Sequence, residues 1–280
     1  MDETETSRGG ETAVLETERR GAAQWLWLNR PEVLNALSPA LLDELDRGLE
    51  AAAGDDGVRC VVIAARGRAF CAGADLQHVS GLLAGRNGSE PAPGLRGDQQ
   101  ELLHRVARTF NAIEQFPKPV LGAVQGIAVA GGLELALCCD IVVATESASF
   151  GDGHGNFGLV PGGGGSIRLP RRVGHSMAKR LLFTGDRLPA RDFLGTDLVS
   201  EVTADDALVE SVDALAQRIA DRSPLVQRLT KRLVNDGVQV PLDVALRMEM
   251  HECELHEQSA DIQEGVSAFV EKRTPRFVGR

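Results

Sequence analysis

Two short stretches near the N-terminus, residues 13–17 and 24–28, alternate apolar and polar positions, with Arg19, Arg20 and Gly21 between them. The alternation predicts two strands joined by a turn, and Asn29, Arg30 and Pro31 end the second. Ser38 followed by Pro39 has the form of a helix N-cap with proline at the first helical position. Leu41, Leu42, Leu45 and Leu49 then recur with helical spacing. Residues 59–64 read as a short buried strand. Between residues 81 and 97 glycine, proline, serine and charge replace apolar residues, which predicts a surface loop or lid. A helix is expected over 98–114, ended by Pro117 and Pro119. Strand 120–124, helix 131–139 and strand 141–144 then form a βαβ-like unit. Its first strand is apolar throughout, as a strand covered on both faces must be.

Helical spacing returns over 167–173 and 177–183. After about residue 204 the chain reads as nearly continuous helix, over 207–221, 224–236, 241–258 and 259–271. The expected fold class is α/β. Residues 1–12 are expected to be a disordered tail, 13–200 the α/β core, and 201–280 a C-terminal helical region.

Composition narrows the classes of function. Apolar residues make up 43% of the chain and charged residues 25%, an ordinary globular balance. The longest apolar zone, 119–144, is broken by Gln125, Glu134 and Asp140, so it reads as buried strand, helix and strand rather than a membrane span. A net charge of −10 argues against non-specific nucleic-acid binding. The five cysteines have no framework spacing, so a reducing cytoplasm is expected. The acidic, polar residues 1–12 have the wrong composition for a signal peptide.

The most informative chemistry lies at Gly131-Gly132-Leu133-Glu134. If residues 131–139 are helical, Gly131 sits in the first turn, where backbone N–H groups lack intrahelical partners. Glu134 lies on the same face. An oxyanion donor beside a carboxylate suits chemistry next to a polarised carbonyl. Three other motifs carry less. Residues 153–158 match G-x-G-x-x-G, but Pro161 and a run of glycines follow where a dinucleotide fingerprint needs a helix. Residues 161–166 lack the lysine of a phosphate-binding loop. His251 and His256 are five apart, off the shared helix face that a zinc site needs.

Taken in order, several segments resemble the crotonase family, also called enoyl-CoA hydratase/isomerase. They are Asn29-Arg30-Pro31 with Asn35-Ala36-Leu37-Ser38, then residues 69–76, then Lys118-Pro119-Val120 with residues 126–134. Cys139-Asp140, Phe150-Gly151, residues 158–162, Ala260-Asp261, Glu264-Gly265 and residues 269–275 complete the set. The resemblance implies a spiral of ββα units with a C-terminal helical trimerisation region, assembled as a homotrimer or as a hexamer made of two trimers. It implies an acyl-CoA substrate, with coenzyme A entering as part of that substrate and no metal or redox cofactor. Ala74 and Gly131 match the two oxyanion-hole amides. Ala72, Asp75, Leu76, Phe269 and Lys272 match positions that border CoA, the last two often from a neighbouring subunit.

Hydratases of this family place two glutamates around the acyl α- and β-carbons. Glu134 matches the first, and His154 stands at the second. Imidazole can give or take a proton near neutral pH, and Asp152 is near enough in sequence to orient it. Three readings follow. The first is a hydro-lyase, in which Glu134 activates water and His154 serves the α-carbon. The second is a thioester or β-diketone hydrolase or decarboxylase using His154. Gly162 and Gly163 stand where certain hydrolytic relatives carry an aspartate. The third is a non-catalytic acyl-CoA-binding protein.

Overall fold

The computed structural model describes residues 13–75 and 93–280, the side chains of 93–99 excepted. The tail over 1–12, most of the expected lid over 81–97, and Leu76 lie outside the described residues.

Strands β1 (Leu15–Arg20) and β2 (Ala23–Leu28) form the expected hairpin, antiparallel from Leu15↔Leu28 to Arg20↔Ala23. Helix α1 (Pro39–Gly54) starts where the sequence signals it, and the Ser38 side chain accepts the Leu41 N–H. β3 (Cys60–Ala65) follows, then α2 (Pro93–Glu114), which begins five residues before the expected Asp98. β4 (Val120–Val124) and β5 (Ile127–Val129) come from one apolar run, split at Gly126. Gly126 has φ of 60°, and a Cβ there would lie 2.0 Å from the Arg68 carbonyl oxygen, so only glycine can make this corner. Next come α3 (Gly131–Leu137), β6 (Ile141–Thr145) and β7 (Ser149–Gly151). They are followed by α4 (Gly165–Val173), α5 (His175–Thr184), β8 (Arg187–Pro189) and β9 (Glu201–Thr203). Four helices close the chain: α6 (Leu208–Ala220), α7 (Pro224–Gly237), α8 (Leu242–His256) and α9 (Ala260–Glu271).

The strands make two sheets. The larger runs β1-β2-β3-β4-β6-β9 and is parallel except for β1, so the sheet continues past residue 200 through β9. The smaller runs β5-β7-β8, with β5 and β7 parallel. Period-two alternation divides the large sheet's side chains between two cores. Trp25, Trp27, Val62, Ala64, Leu121 and Val143 face α6 and meet its Leu208, Val212 and Ala216. Leu26, Leu28, Val61, Ile63, Val120 and Val124 face the other way, into the main core with α1, α2, α3 and the small sheet. Helix α6 therefore covers the sheet as part of the core, while α7 and α8 have no buried residues. Among the described residues no helix is long and apolar enough to cross a membrane.

Candidate active site

The small sheet aligns two chemically active turns. β5 and β7 run in parallel register, Val129 opposite Gly151, so the residues after each strand emerge side by side. After β5 come Ala130 and α3 with Glu134. After β7 come Asp152 and His154. The Ala130 N–H donates to the Gly151 carbonyl at 3.0 Å and locks the two exits together.

Ala130 itself has φ of 50° and ψ of −119°, a costly conformation for a residue with a Cβ. It rotates the next peptide, so Gly131 opens α3. A second segment, residues 71–75, lies against this turn. It is laced on one side to residues 34–37 and on the other to β5. The Leu37 N–H donates to Gly73 O, and the Asp75 N–H donates to Leu37 O. In such a parallel bridge the intervening residue, Ala74, turns its own N–H to the opposite edge. The two segments touch there: a Cβ built on Gly131 would lie 3.4 Å from Gly73 Cα, and one built on Gly73 would lie 3.3 Å from Gly131 N. Among the described residues, neither the Ala74 nor the Gly131 amide has a protein acceptor.

Glu134 is 2% exposed. Its Oε1 accepts the N–H groups of Gly163 and Gly165, each at 2.8 Å. Those glycines approach so closely that a Cβ on Gly163 would sit 2.8 Å from Glu134 Oε2 and from Phe110 Cε2. Arg168 pins the glycine loop from behind. Its Nη1 donates to Gly163 O at 2.7 Å, and its Nη2 donates to Glu114 and Asn111. With Oε1 occupied, Oε2 is the oxygen that faces the site, 3.9 Å from His154 Nε2. Burial pushes the Glu134 carboxyl above its ordinary value, against the opposing pull of the Gly165 and Gly163 amides and of His154.

His154 opens a short 3₁₀ turn, His154–Phe157, after Gly153. Asp152 is buried and holds it twice: Oδ2 lies 2.9 Å from Nδ1, and Oδ1 accepts the His154 N–H at 3.1 Å. The carboxylate can only accept, so Nδ1 carries the proton and Nε2 faces Glu134. Burial pulls the His154 pKa down, but the Asp152 hydrogen bond and the charges of Asp152 and Glu134 outweigh it, leaving the imidazole above its ordinary value. The arrangement is an imidazolium-prone donor 3.9 Å from a proton-accepting carboxylate, close enough together to move protons at adjacent atoms of one ligand.

The other residues named from sequence divide into two groups. Ala72 and Asp75 lie on the segment that carries Ala74. Asp75 Oδ2 is 2.8 Å from Arg30 Nη2, so its carboxylate is engaged by the protein. Phe269, 84% exposed, and Lys272, at the end of α9, are on the surface. At 84% exposure the Phe269 ring is not part of this chain's core. Sequence reading misses the Gly163 and Gly165 amides as carboxylate holders, because by itself the glycine run shows only a phosphate loop without its lysine.

Two sheets, C-terminal helices and a buried carboxylate beside two unpaired backbone amides define a crotonase-type α/β protein. Comparison with known proteins extends this. The profile of the Enoyl-CoA hydratase/isomerase family matches residues 21–280. A crotonyl-CoA hydratase of Syntrophomonas wolfei is 36% identical over 271 residues, covering 96% of this chain and 99% of that protein. A 2,3-dehydroadipyl-CoA hydratase of Escherichia coli is 38% identical over 257 residues, covering 91% and 94% respectively. The crystal structure of an enoyl-CoA hydratase from Bacillus anthracis superposes with a TM-score of 0.87 at 35% identity, covering 95% of this chain and all of that one. The chain belongs to the enoyl-CoA hydratase/isomerase (crotonase) family, which binds acyl-CoA substrates.

Proposed function

We propose that the protein is an enoyl-CoA hydratase-like hydro-lyase. The observation that carries this reading is the Glu134 carboxylate, clamped through Oε1 and facing His154 Nε2 through Oε2 at 3.9 Å. The unpaired Ala74 and Gly131 amides lie at the head of the same helix.

In this reading the thioester oxygen of an enoyl-CoA takes hydrogen bonds from the Ala74 and Gly131 N–H groups. Glu134 Oε2 removes a proton from water as the water oxygen bonds to Cβ. The Cα–Cβ π electrons move toward the thioester, and negative charge gathers on the oxygen that the two amides face. Donors fixed in place before the charge develops are worth about 3–4 kcal/mol each in such sites. His154 Nε2–H then delivers a proton to Cα, and the carbonyl re-forms. Glu134 then releases its proton and His154 Nε2 takes one up, so both groups are restored and water adds without net acid or base consumption.

Hydration is favoured over thioester hydrolysis because a base and an acid stand side by side, 3.9 Å apart, where each can serve one of two adjacent carbons. Purified protein should bleach the conjugated-thioester absorbance of crotonyl-CoA without releasing a free thiol. Thiol release would instead select the hydrolase reading, and tight acyl-CoA binding with neither signal a binding protein. Assembly into trimers or hexamers is supported by apolar side chains exposed on α7 and α8 and the turn between them, including Val234, Val238, Leu242, Leu246 and Met250. Light scattering of the purified protein measures it. The cysteines are all free and four are buried, which supports a cytoplasmic location.

A further inference from the structure

We infer that the Arg30–Asp75 ion pair is a positioning latch that sets the aim of the Ala74 amide. The inference rests on the oxyanion reading of Ala74 and adds to it two residues that act through the backbone. The sequence resemblance puts Asp75 at the CoA border, and its carboxylate sits 2.8 Å from Arg30 Nη2.

The pair is placed as a brace. Arg30 grips both halves of the bridge that carries Ala74. Its Nη1 donates to Ala36 O at 2.6 Å on one side, and its Nη2 reaches Asp75 on the other. Between these arms lie the bridge's own bonds, from Leu37 N–H to Gly73 O and from Asp75 N–H to Leu37 O. Those bonds fix the spacing of the segments. A side-chain clamp at Asp75, one residue on from Ala74, adds a third fixed point beyond those two backbone bonds.

Arg30 is itself anchored. Its backbone N–H donates to Asn35 Oδ1 at 2.8 Å. Asn35, wholly buried with φ of 56°, donates through Nδ2 to Arg66 O and Ala69 O, each at 2.8 Å. The latch thus transmits the position of the 66–69 loop to the Ala74 peptide. The two side chains are 17% and 12% exposed, so the pair is shielded from the solvent screening that makes most surface pairs worthless. A planar guanidinium donating along fixed directions also sets orientation, which a lysine ammonium does not.

The test uses purified full-length protein and p-dimethylaminocinnamoyl-CoA, whose absorption band moves red as its carbonyl is polarised. In the wild type the bound probe should shift red. D75N should lose most of that shift and lower kcat for crotonyl-CoA about tenfold to a hundredfold, the scale of a misaimed rather than deleted donor. Probe affinity should change less than about threefold. D75E should recover part of both losses. A folded D75N with wild-type red shift and kcat overturns the latch. So does a parallel loss of affinity for CoA alone, which would make Asp75 a nucleotide contact. If D75N fails to fold, R30K, which keeps the charge but not the two-armed grip, carries the same readouts. A wild-type protein that binds the probe without red shift would overturn the oxyanion reading and the latch together. Red shift without hydration would remove only the proposed activity, and the spectra of D75N would still decide the latch.

Discussion

Replacing Asp152 with asparagine changes one charge and little volume, so its effect can be worked from the site. In the account above His154 must be protonated to deliver the α-proton. Its pKa is raised, so activity should persist above the ordinary histidine range and fall as pH rises through the raised value. Burial alone would push the imidazole down. The Asp152 hydrogen bond at 2.9 Å and the Asp152 charge reverse that. An opposite charge at such range typically moves a pKa by about 1–3 units, and each unit is about 1.4 kcal/mol. In D152N the side-chain oxygen can still accept Nδ1–H but brings no charge, and the Glu134 carboxylate at 3.9 Å remains. The alkaline limb of kcat/KM should therefore move to lower pH. Near pH 7.5 the loss should be about tenfold or more. Asparagine also turns an amide toward the His154 N–H that Asp152 Oδ1 now accepts, which adds a loss independent of pH. The signature is thus partial recovery of rate on acidification. Stopped-flow or steady-state hydration of crotonyl-CoA between pH 5 and 9 measures it. An alkaline limb that stays put, or moves up, would refute the assignment of His154 as an acid held charged by Asp152.

Other consequences follow from the same contacts. Glu134→Gln should cut turnover at least about a hundredfold with acyl-CoA affinity kept. Because Glu134 is held above its ordinary pKa by burial, its ionised form opposes folding at neutral pH, while a glutamine oxygen can still accept both glycine amides. The variant should melt about 1–3 °C higher than wild type, and calorimetry checks it. In wild-type protein the acid limb of activity should lie above the ordinary glutamate value of 4.5, since a raised carboxyl loses its ionised form sooner as pH falls. Gly132→Ala would place a Cβ 2.1 Å from the Cys71 carbonyl oxygen, backbone against backbone, and should destabilise by about 2–3 kcal/mol in denaturant titrations. Asp261, buried, accepts from Ser223 and from the Val278 and Gly279 amides, so Asp261→Ala should cost about 3 kcal/mol and speed hydrogen exchange at 278–279.

The legible parts of the fold were those with a period or a cap. Ser38 and Pro39 fixed the start of α1 because capping is local chemistry. The alternation of β2 placed Trp25 and Trp27 on one face and Leu26 and Leu28 on the other. The small sheet was not legible, because β5, β7 and β8 have three residues each and show no period. Their pairing depends on contacts between segments far apart in the chain. β4 ends at Val124 as the sequence predicts, but β5, three residues within the rest of the same apolar run, shows no period of its own. At the site, Glu134 and His154 stood out as unusual residues among small ones. That Glu134 needs Gly163 and Gly165 is a fact about loop conformation, which a glycine run permits but does not specify. The Arg30–Asp75 pair spans 45 positions and joins two segments by tertiary packing alone.

The central claim is that the amides of Ala74 and Gly131 receive one thioester oxygen while Glu134 and His154 flank the neighbouring carbons. A crystal structure with a saturated, unreactive acyl-CoA measures this directly. The thioester oxygen should lie about 2.7–3.1 Å from both nitrogens, with Cα toward His154 Nε2 and Cβ toward Glu134 Oε2. An acyl-CoA whose carbonyl lies away from either amide, or whose α- and β-carbons are out of reach of both side chains, would contradict it.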